Sequence, residues 1–400
     1  MILAGVRGSV LAAVAFAAVT LACAAPASAQ TAVTHANSGD ARSQDVLSSN
    51  PAQAVSQARA TVADGHLDLA VKTLALYVAG HPREIEPARY LGDLYYRQSD
   101  LAAAERTFLA ILRYAPEDRE THNRLGGVYA TQDRIGDALE QFQESIPSVG
   151  AYPNLTLLHI RRGDLAIWES DLRHEAATKP FDPAAQFAIG QVLRYERKPL
   201  EAVVFLERAL DLSPNACEVL SELGITYLDL ARVDKAVGVL QRCLSISPED
   251  YPALVNLGDA YIEQGALDRA RTLFEHANTV RPDGAEALID LGYIQDSEHS
   301  WEGAVRLYLR ALALDPLARD GYVDLGCDYR DHHLYALAEA AFIKGLSVSP
   351  GDGRLHYLLG TTYAEQGKSI LARSEYKLAL SSNEPEVALA AGRDLAALPQ

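Results

Sequence analysis

Glycine returns along this chain at a fixed step. Gly190, Gly224, Gly258, Gly292, Gly326 and Gly360 are evenly spaced, and Gly92 and Gly126 keep the same step nearer the start. A period of about 34 residues describes a stack of one small supersecondary unit, not a set of separate globular cores. The stretch from Tyr251 to Gly284 shows the unit most clearly. Leu254, Leu257 and Tyr261 fall at i, i+3 and i+7, one face of a first helix. Ala270, Phe274 and Ala277 fall at i, i+4 and i+7, one face of a second. Gly265 sits between them, where the chain must turn, and Pro282 closes the second helix because it cannot donate the helical hydrogen bond. The unit is therefore an antiparallel helix hairpin.

The same frame gives ten units, starting at Pro51, Ile85, Arg119, Val149, Pro183, Cys217, Tyr251, Ala285, Arg319 and Gly353. An alanine marks the second helix in nine of them (Ala70, Ala104, Ala138, Ala202, Ala236, Ala270, Ala304, Ala338 and Ala372). Only the fourth unit departs, with Trp168 at that place and Thr156 where the first-helix glycine belongs. A glycine inside a helix costs about 0.5–1 kcal/mol relative to alanine, so its recurrence predicts a close crossing of the two helices that repays it. The interval from Gly126 to Gly190 falls short of two full steps, and Pro147 and Pro153 bracket the shortfall. A clipped second helix and a local change in superhelical pitch are expected near residues 146 to 153. Val387, Leu389 and Leu395 predict a last amphipathic helix over 387–400 that caps the open end of a solenoid covering 51–386.

Leu257-Gly258 followed by Tyr261, then Ala270, Phe274 and Pro282, resembles the tetratricopeptide repeat, and the match recurs over nearly the whole of the chain beyond its first fifty residues. The resemblance implies an all-α fold, an α-solenoid wound as a right-handed superhelix of about ten helix-turn-helix repeats, lined inside by the first helix of each unit. It also implies a non-enzymatic role in holding protein or peptide partners on that inner face. The positions facing the groove are then the fifth, ninth, twelfth and thirteenth of each unit. They are Arg89, Asp93, Tyr96 and Arg97 in the second unit, and Phe187, Gln191, Arg194 and Tyr195 in the fifth. The seventh supplies Val255, Asp259, Ile262 and Glu263, and the eighth Ile289, Tyr293 and Asp296. Arg330 and Asp331 come from the ninth, Tyr357 and Glu365 from the tenth. The groove is expected to be mixed and partly basic at its start, then acidic with tyrosine and aliphatic side chains. The Lys/Asn clamp with which some relatives grip a terminal carboxylate has no counterpart among these residues.

A net charge of −17 argues against a backbone-driven nucleic-acid binder and against docking on anionic lipid. The apolar content of 48% is enough for a continuous core. Val10 to Cys23 is an apolar run of signal-peptide length behind Arg7, and Ala27-Ser28-Ala29 offers a small-residue cleavage site. The expectation is a signal peptide over 1–29 cut after Ala29, a flexible polar linker over 30–50, and an exported chain, periplasmic or secreted, without a further membrane span. A second reading takes Thr20-Leu21-Ala22-Cys23 as a lipoprotein signal with Cys23 as the lipid anchor; the aliphatic residue usual three places before the cysteine is Thr20 here. Beyond the leader stand Cys217, Cys243 and Cys327, an odd number with no C-x-x-C pair, so no disulfide framework or zinc site is implied. Cys217 and Cys243 bracket one hairpin near its open end, which leaves a bond between them open.

No cofactor or metal is expected. His332 and His333 are adjacent and cannot share a helix face, and His299 and His356 have no partner at ligand spacing. Gly351-Asp352-Gly353 lacks the lysine of a phosphate loop, and neither G-x-S-x-G nor H-E-x-x-H occurs. An enzyme carrying a repeat arm would need a catalytic domain, and few residues follow the last unit.

Overall fold

The computed structural model describes residues 50–146, 151–382 and 384–398. Among them there are 21 helices and no strand. The first three units are α1 (Pro51–Ala63) with α2 (Leu67–Gly80), α3 (Ile85–Arg97) with α4 (Leu101–Leu112), and α5 (Arg119–Thr131) with α6 (Ile135–Glu144). Then come α7 (Ala151–Arg162) with α8 (Leu165–Thr178), α9 (Pro183–Tyr195) with α10 (Pro199–Leu212), and α11 (Cys217–Asp229) with α12 (Val233–Ile246). The array continues through α13 (Tyr251–Glu263) with α14 (Leu267–Val280), α15 (Ala285–Ser297) with α16 (Trp301–Leu314), and α17 (Arg319–Asp331) with α18 (Tyr335–Val348). It ends on α19 (Gly353–Glu365) with α20 (Ser369–Ala379), followed by α21 (Pro385–Ala397). The signal-peptide and linker segments expected over 1–49, Cys23 included, lie outside the described residues, as do 147–150.

The recurring glycine is where the two helices of a unit cross. A Cβ added at Gly258 would stand 2.4 Å from the Phe274 ring, and across all eight glycines of the series the nearest atom of the facing side chain is 2.3 to 2.7 Å away. Those facing side chains are buried, so only hydrogen fits at the crossing. Several first helices begin on an aspartate closing the previous unit: Asp118, Asp250 and Asp352 each accept the backbone N–H three residues on, satisfying a donor the helix leaves free. Each hairpin then turns through its fifteenth residue in the left-handed region. Glycine fills that place in four units, but Ser99, Asp133, Arg197, Ala231, His299 and His333 fill it in six. The hairpin packing on either side imposes a conformation that these residues would otherwise avoid.

The shortened third unit has its cause in α6, which runs 10 residues where α10, α12 and α14 run 14. In the fourth unit Thr156 returns its hydroxyl to the Tyr152 carbonyl at 2.8 Å, and the Trp168 ring lies against His159 with centroids 4.8 Å apart. The cap α21 starts at Pro385 and buries Val387, Ala390 and Ala391. Leu389, expected on its inner side, points outward at 76% exposure, because the helix is rotated to bring the two alanines close to the last unit. Cys217 and Cys243 are joined in a disulfide with Cα atoms 4.8 Å apart, tying the start of α11 to the end of α12.

First helices of successive units touch one another, whereas second helices of successive units make no comparable contact, so the array curves with its first helices inside. The curve brings distant units together. Asp283, in the turn between α14 and α15, receives Arg59 at 2.6 Å, Arg97 at 3.1 Å and the Tyr90 hydroxyl at 2.8 Å. Burial pushes the Asp283 carboxyl up, but Arg59 and Arg97 outweigh it and hold it below its ordinary range. Arg197 in the turn of the fifth unit meets Glu384 before α21 at 3.5 Å. The stretch of chain from Arg97 to Asp283 is nearly equal to that from Arg197 to Glu384, so both contacts mark one full turn, and consecutive turns of the solenoid lie against each other.

Candidate binding surface

The inner face is not uniform. In the second unit the expected groove residues are engaged within the chain. Arg89 pairs with Asp118 at 2.8 Å and Glu120 at 2.6 Å, and Asp93 holds Arg124 at 2.8 Å. The Tyr96 hydroxyl meets Thr131 at 2.9 Å, and Arg97 reaches Asp283 across the turn. Burial would raise the Asp118 carboxyl, but the hydroxyl and N–H of Thr121 and the Arg89 guanidinium outweigh it and lower it. The links to Asp118, Glu120, Arg124 and Thr131 run from α3 to α5 and its cap and fix the local curvature.

In the fifth unit Phe187, Gln191 and Arg194 are buried, and only Tyr195 is part-exposed. They are therefore closed to a partner in this structure. The Arg194 guanidinium lies on the Glu222 carboxylate, with the two side chains 7% and 9% exposed. The Gln191 amide donates to the same carboxylate at 3.2 Å. Burial alone would lower Arg194, yet the charge of Glu222 outweighs it and holds the group higher. The Tyr195 phenol is pushed up to about 12 by burial, with Arg194 opposing. Glu222 escaped the sequence reading because it occupies the sixth place of its unit, outside the expected groove register.

The later units differ. Val255, Ile289 and Tyr357 are buried, the last donating to Asp394 of the cap at 2.8 Å. Asp259, Ile262, Tyr293 and Asp296 are half-buried, while Glu263, Asp331 and Glu365 are exposed. Arg330 pairs with Asp331 at 2.8 Å. Glu263, Asp296 and Glu365 have no hydrogen-bonded or ion-paired side chain among the described residues, so acidic groups remain available here.

Beneath them lies Asp328, which the sequence reading passed over. From the second unit onward the tenth place is a core position between successive first helices, filled by Leu94, Val128, Leu158, Val192, Thr226, Ala260, Ile294 and Thr362, all buried, whereas Ala60 of the first unit is exposed. The two threonines satisfy themselves by bonding the carbonyl four residues back, at 2.8 Å each. The ninth unit places Asp328 there at 6% exposure, and its Oδ2 has no hydrogen-bond partner. Burial, then the charges of Asp296, Asp324 and Asp331, push its carboxyl up to about 8. The repeat register was the signal that could have found it.

The histidines are occupied locally. His332 stacks on Trp301 with centroids 4.3 Å apart, His333 meets the Tyr335 hydroxyl at 2.9 Å, and His356 meets Glu375 at 2.7 Å. The one set of three potential metal ligands that converge among the described residues is Cys217, Cys243 and Asp250, and its two sulfurs are bonded to each other.

Stacked helix hairpins with a curved inner face define the class, an α-solenoid. Family models described as tetratricopeptide repeat match residues 91–155, 232–288 and 323–392. The chain is a tetratricopeptide-repeat protein. A tetratricopeptide repeat protein from Parabacteroides merdae ATCC 43184 is similar in structure at 19% identity, covering 61% of this chain and 98% of the other with a TM-score of 0.49. MamA is similar over 40% of this chain and 95% of its own at 24% identity, with a TM-score of 0.33. No curated protein matches the sequence. No helix among the described residues is long and apolar enough to cross a membrane.

Proposed function

We propose that this protein is a non-enzymatic scaffold of the bacterial envelope that holds a protein or peptide segment on the inner face of its later units. One contrast carries the reading. The inner residues of the second and fifth units are tied to other parts of the chain, whereas Glu263 beside half-buried Ile262, Asp296 one turn from half-buried Tyr293, and Glu365 on α19 carry no such ties. Apolar and aromatic side chains among unpaired charges are the mixture from which peptide grooves draw affinity and register. The export signal read over residues 1–29 gives the envelope setting.

The test is a photocrosslinking amino acid placed at Ile262 on the inner face and, separately, at Leu309 on the outer face of α16, in cells carrying the full chain. Partner adducts should form from position 262 and not from 309. Equal adduct patterns at the two positions refute an inner-face scaffold. Fractionation of the same cells tests the setting: release with the soluble envelope fraction fits cleavage after Ala29, whereas palmitate labelling lost on Cys23→Ser fits a lipid anchor. Retention in the cytoplasm overturns both.

A further inference from the structure

The sixth unit closes on three side chains from three helix ends. Cys217 opens α11, Cys243 lies near the end of α12, and Asp250 caps the start of α13. Their sulfur and carboxylate atoms all lie within 4.8 Å of one another. The disulfide accounts for the two sulfurs but not for the carboxylate beside them. Asp250 Oδ1 accepts the Ala253 N–H at 2.9 Å, and its other oxygen has no hydrogen-bonded or ion-paired partner among the described residues.

The ninth unit shows what that oxygen lacks. Asp352 ends its unit as Asp250 ends the sixth, and it accepts the Leu355 N–H at 2.9 Å on Oδ1 and Arg319 at 2.7 Å on Oδ2. Arg319 is the first residue of the ninth unit, and the first residue of the sixth is Cys217. Asp118, ending the second unit, likewise holds Arg89 at 2.8 Å. The sixth unit therefore keeps the acid, has no arginine at the matching place, and sets sulfur there instead. A disulfide is neutral and donates nothing to an anion. Two thiolates with a carboxylate are another matter, since together they make a ligand set suited to zinc.

We propose that the reduced sixth unit is a metal site in which Cys217, Cys243 and Asp250 hold a zinc ion, with water in the fourth position. Cys217 and Asp250 are part-exposed, which gives the ion and the water their access. A dithiol reductant passes two electrons and two protons to the sulfur–sulfur bond and leaves as its own disulfide. Zinc then takes both sulfurs as thiolates and releases the two protons. Two Zn–S bonds of about 2.3 Å at a tetrahedral angle set the sulfurs roughly 3.7 Å apart, a separation that side-chain rotation reaches. The hairpin is thus closed in either redox state, by a covalent bond in one and by the metal in the other. The site is independent of the inner-face reading above.

Cobalt(II), which accepts zinc's ligands and absorbs light, is the probe. The purified full chain is reduced with a phosphine, desalted without oxygen and titrated with cobalt(II). Thiolate-to-cobalt charge transfer and the visible bands of a tetrahedral ion should saturate at a single equivalent, fade on adding zinc, and be absent from the oxidised chain. Cys327→Ser should leave the spectrum unchanged. Cys243→Ser should remove about half of the charge-transfer intensity, and Asp250→Asn, which can still cap α13, should weaken cobalt binding at least roughly tenfold. Zinc should also slow amide exchange in α11 and α12 of the reduced chain, a readout that needs no colour. A reduced wild-type chain without the charge-transfer band overturns the site, and this outcome holds even if a cysteine variant fails to fold. So does a band of full intensity in Cys243→Ser, or wild-type affinity in Asp250→Asn.

Discussion

Replacing Asp283 by alanine should open the first turn of the solenoid while leaving the stack of units intact. The carboxylate is fully enclosed and holds Arg59, Arg97 and Tyr90, which belong to the first two units, against the turn that follows α14. Removing one partner of a buried ion pair costs about 3–5 kcal/mol. Here the two arginines keep 28% and 27% of their side-chain surface in water, which discounts the loss to about 2–3 kcal/mol. That loss falls on a contact between turns, not on the unit-to-unit core, so it shifts the ratio of closed to open forms by roughly 30- to 150-fold without global unfolding. Small-angle scattering should show a larger radius of gyration, and amide exchange should quicken across α1–α3 but not across α11–α14. Asp283→Asn, which can still accept from Tyr90, should fall between.

Acid should do the same to the unmodified chain. Because the folded carboxyl lies below its ordinary value, its contribution is present above the unfolded pKa and is lost as pH falls through the folded one, that is, below about pH 4. The Asn variant should lack that acid-induced opening. If Asp283→Ala leaves both the scattering profile and the exchange of α1–α3 unchanged, the contact between turns is not what holds the first units in place.

Two further outcomes follow from the unit itself. Gly258→Ala drives a methyl to 2.4 Å from the fully buried Phe274 ring; overpacking of about 1–3 kcal/mol less a helix-propensity gain of about 0.5–1 kcal/mol leaves a net loss, read as a lower urea midpoint. An unchanged or higher midpoint would show that the ring yields easily. Reduction of Cys217–Cys243 releases a constraint across 26 residues, worth about 3.5 kcal/mol in the chain-entropy account, and should speed exchange in α11 and α12 selectively. Native protein whose Cys217, Cys243 and Cys327 all react with a thiol label before reduction would contradict the bond.

The hairpins, their crossing glycines and the clipped third unit were legible because every contact that forms them spans a short, constant sequence distance. Gly258 meets Phe274 within one unit, and the next unit repeats the arrangement. The Asp283 cluster was not legible, since Tyr90 and Arg59 lie 193 and 224 residues from it, at a separation set by accumulated curvature, which no single unit encodes. Leu389 was misplaced because the terminal helix packs on α19 and α20 from one side alone, with no following unit to fix its rotation. The fate of Arg194 depended on Glu222 in the following unit, at a register position that the groove pattern does not include. Asp328 belongs to a third kind, visible in the sequence once the tenth place of each unit is compared with its counterparts.

The distribution of charge makes these separate misses parts of one arrangement. Arg59, Arg89, Arg97 and Arg194 all face the inner side of the early units, and each is neutralised by an acid of the same chain. Their pairing builds curvature and holds one turn on the next, which is structural work. It also removes most of the positive field that would otherwise oppose the acids of α13, α15 and α19 across the hollow of the solenoid. Glu263, Asp296 and Glu365 have no hydrogen-bonded or ion-paired side chain among the described residues, and Arg330 is already paired with Asp331, so the inner side keeps a negative excess toward the later units. The net charge of −17 alone could not predict that outcome, because charge spread evenly over the surface would give no preferred end. What creates the preference is the order of the units, with self-pairing arginines in the first half and unpaired acids in the second.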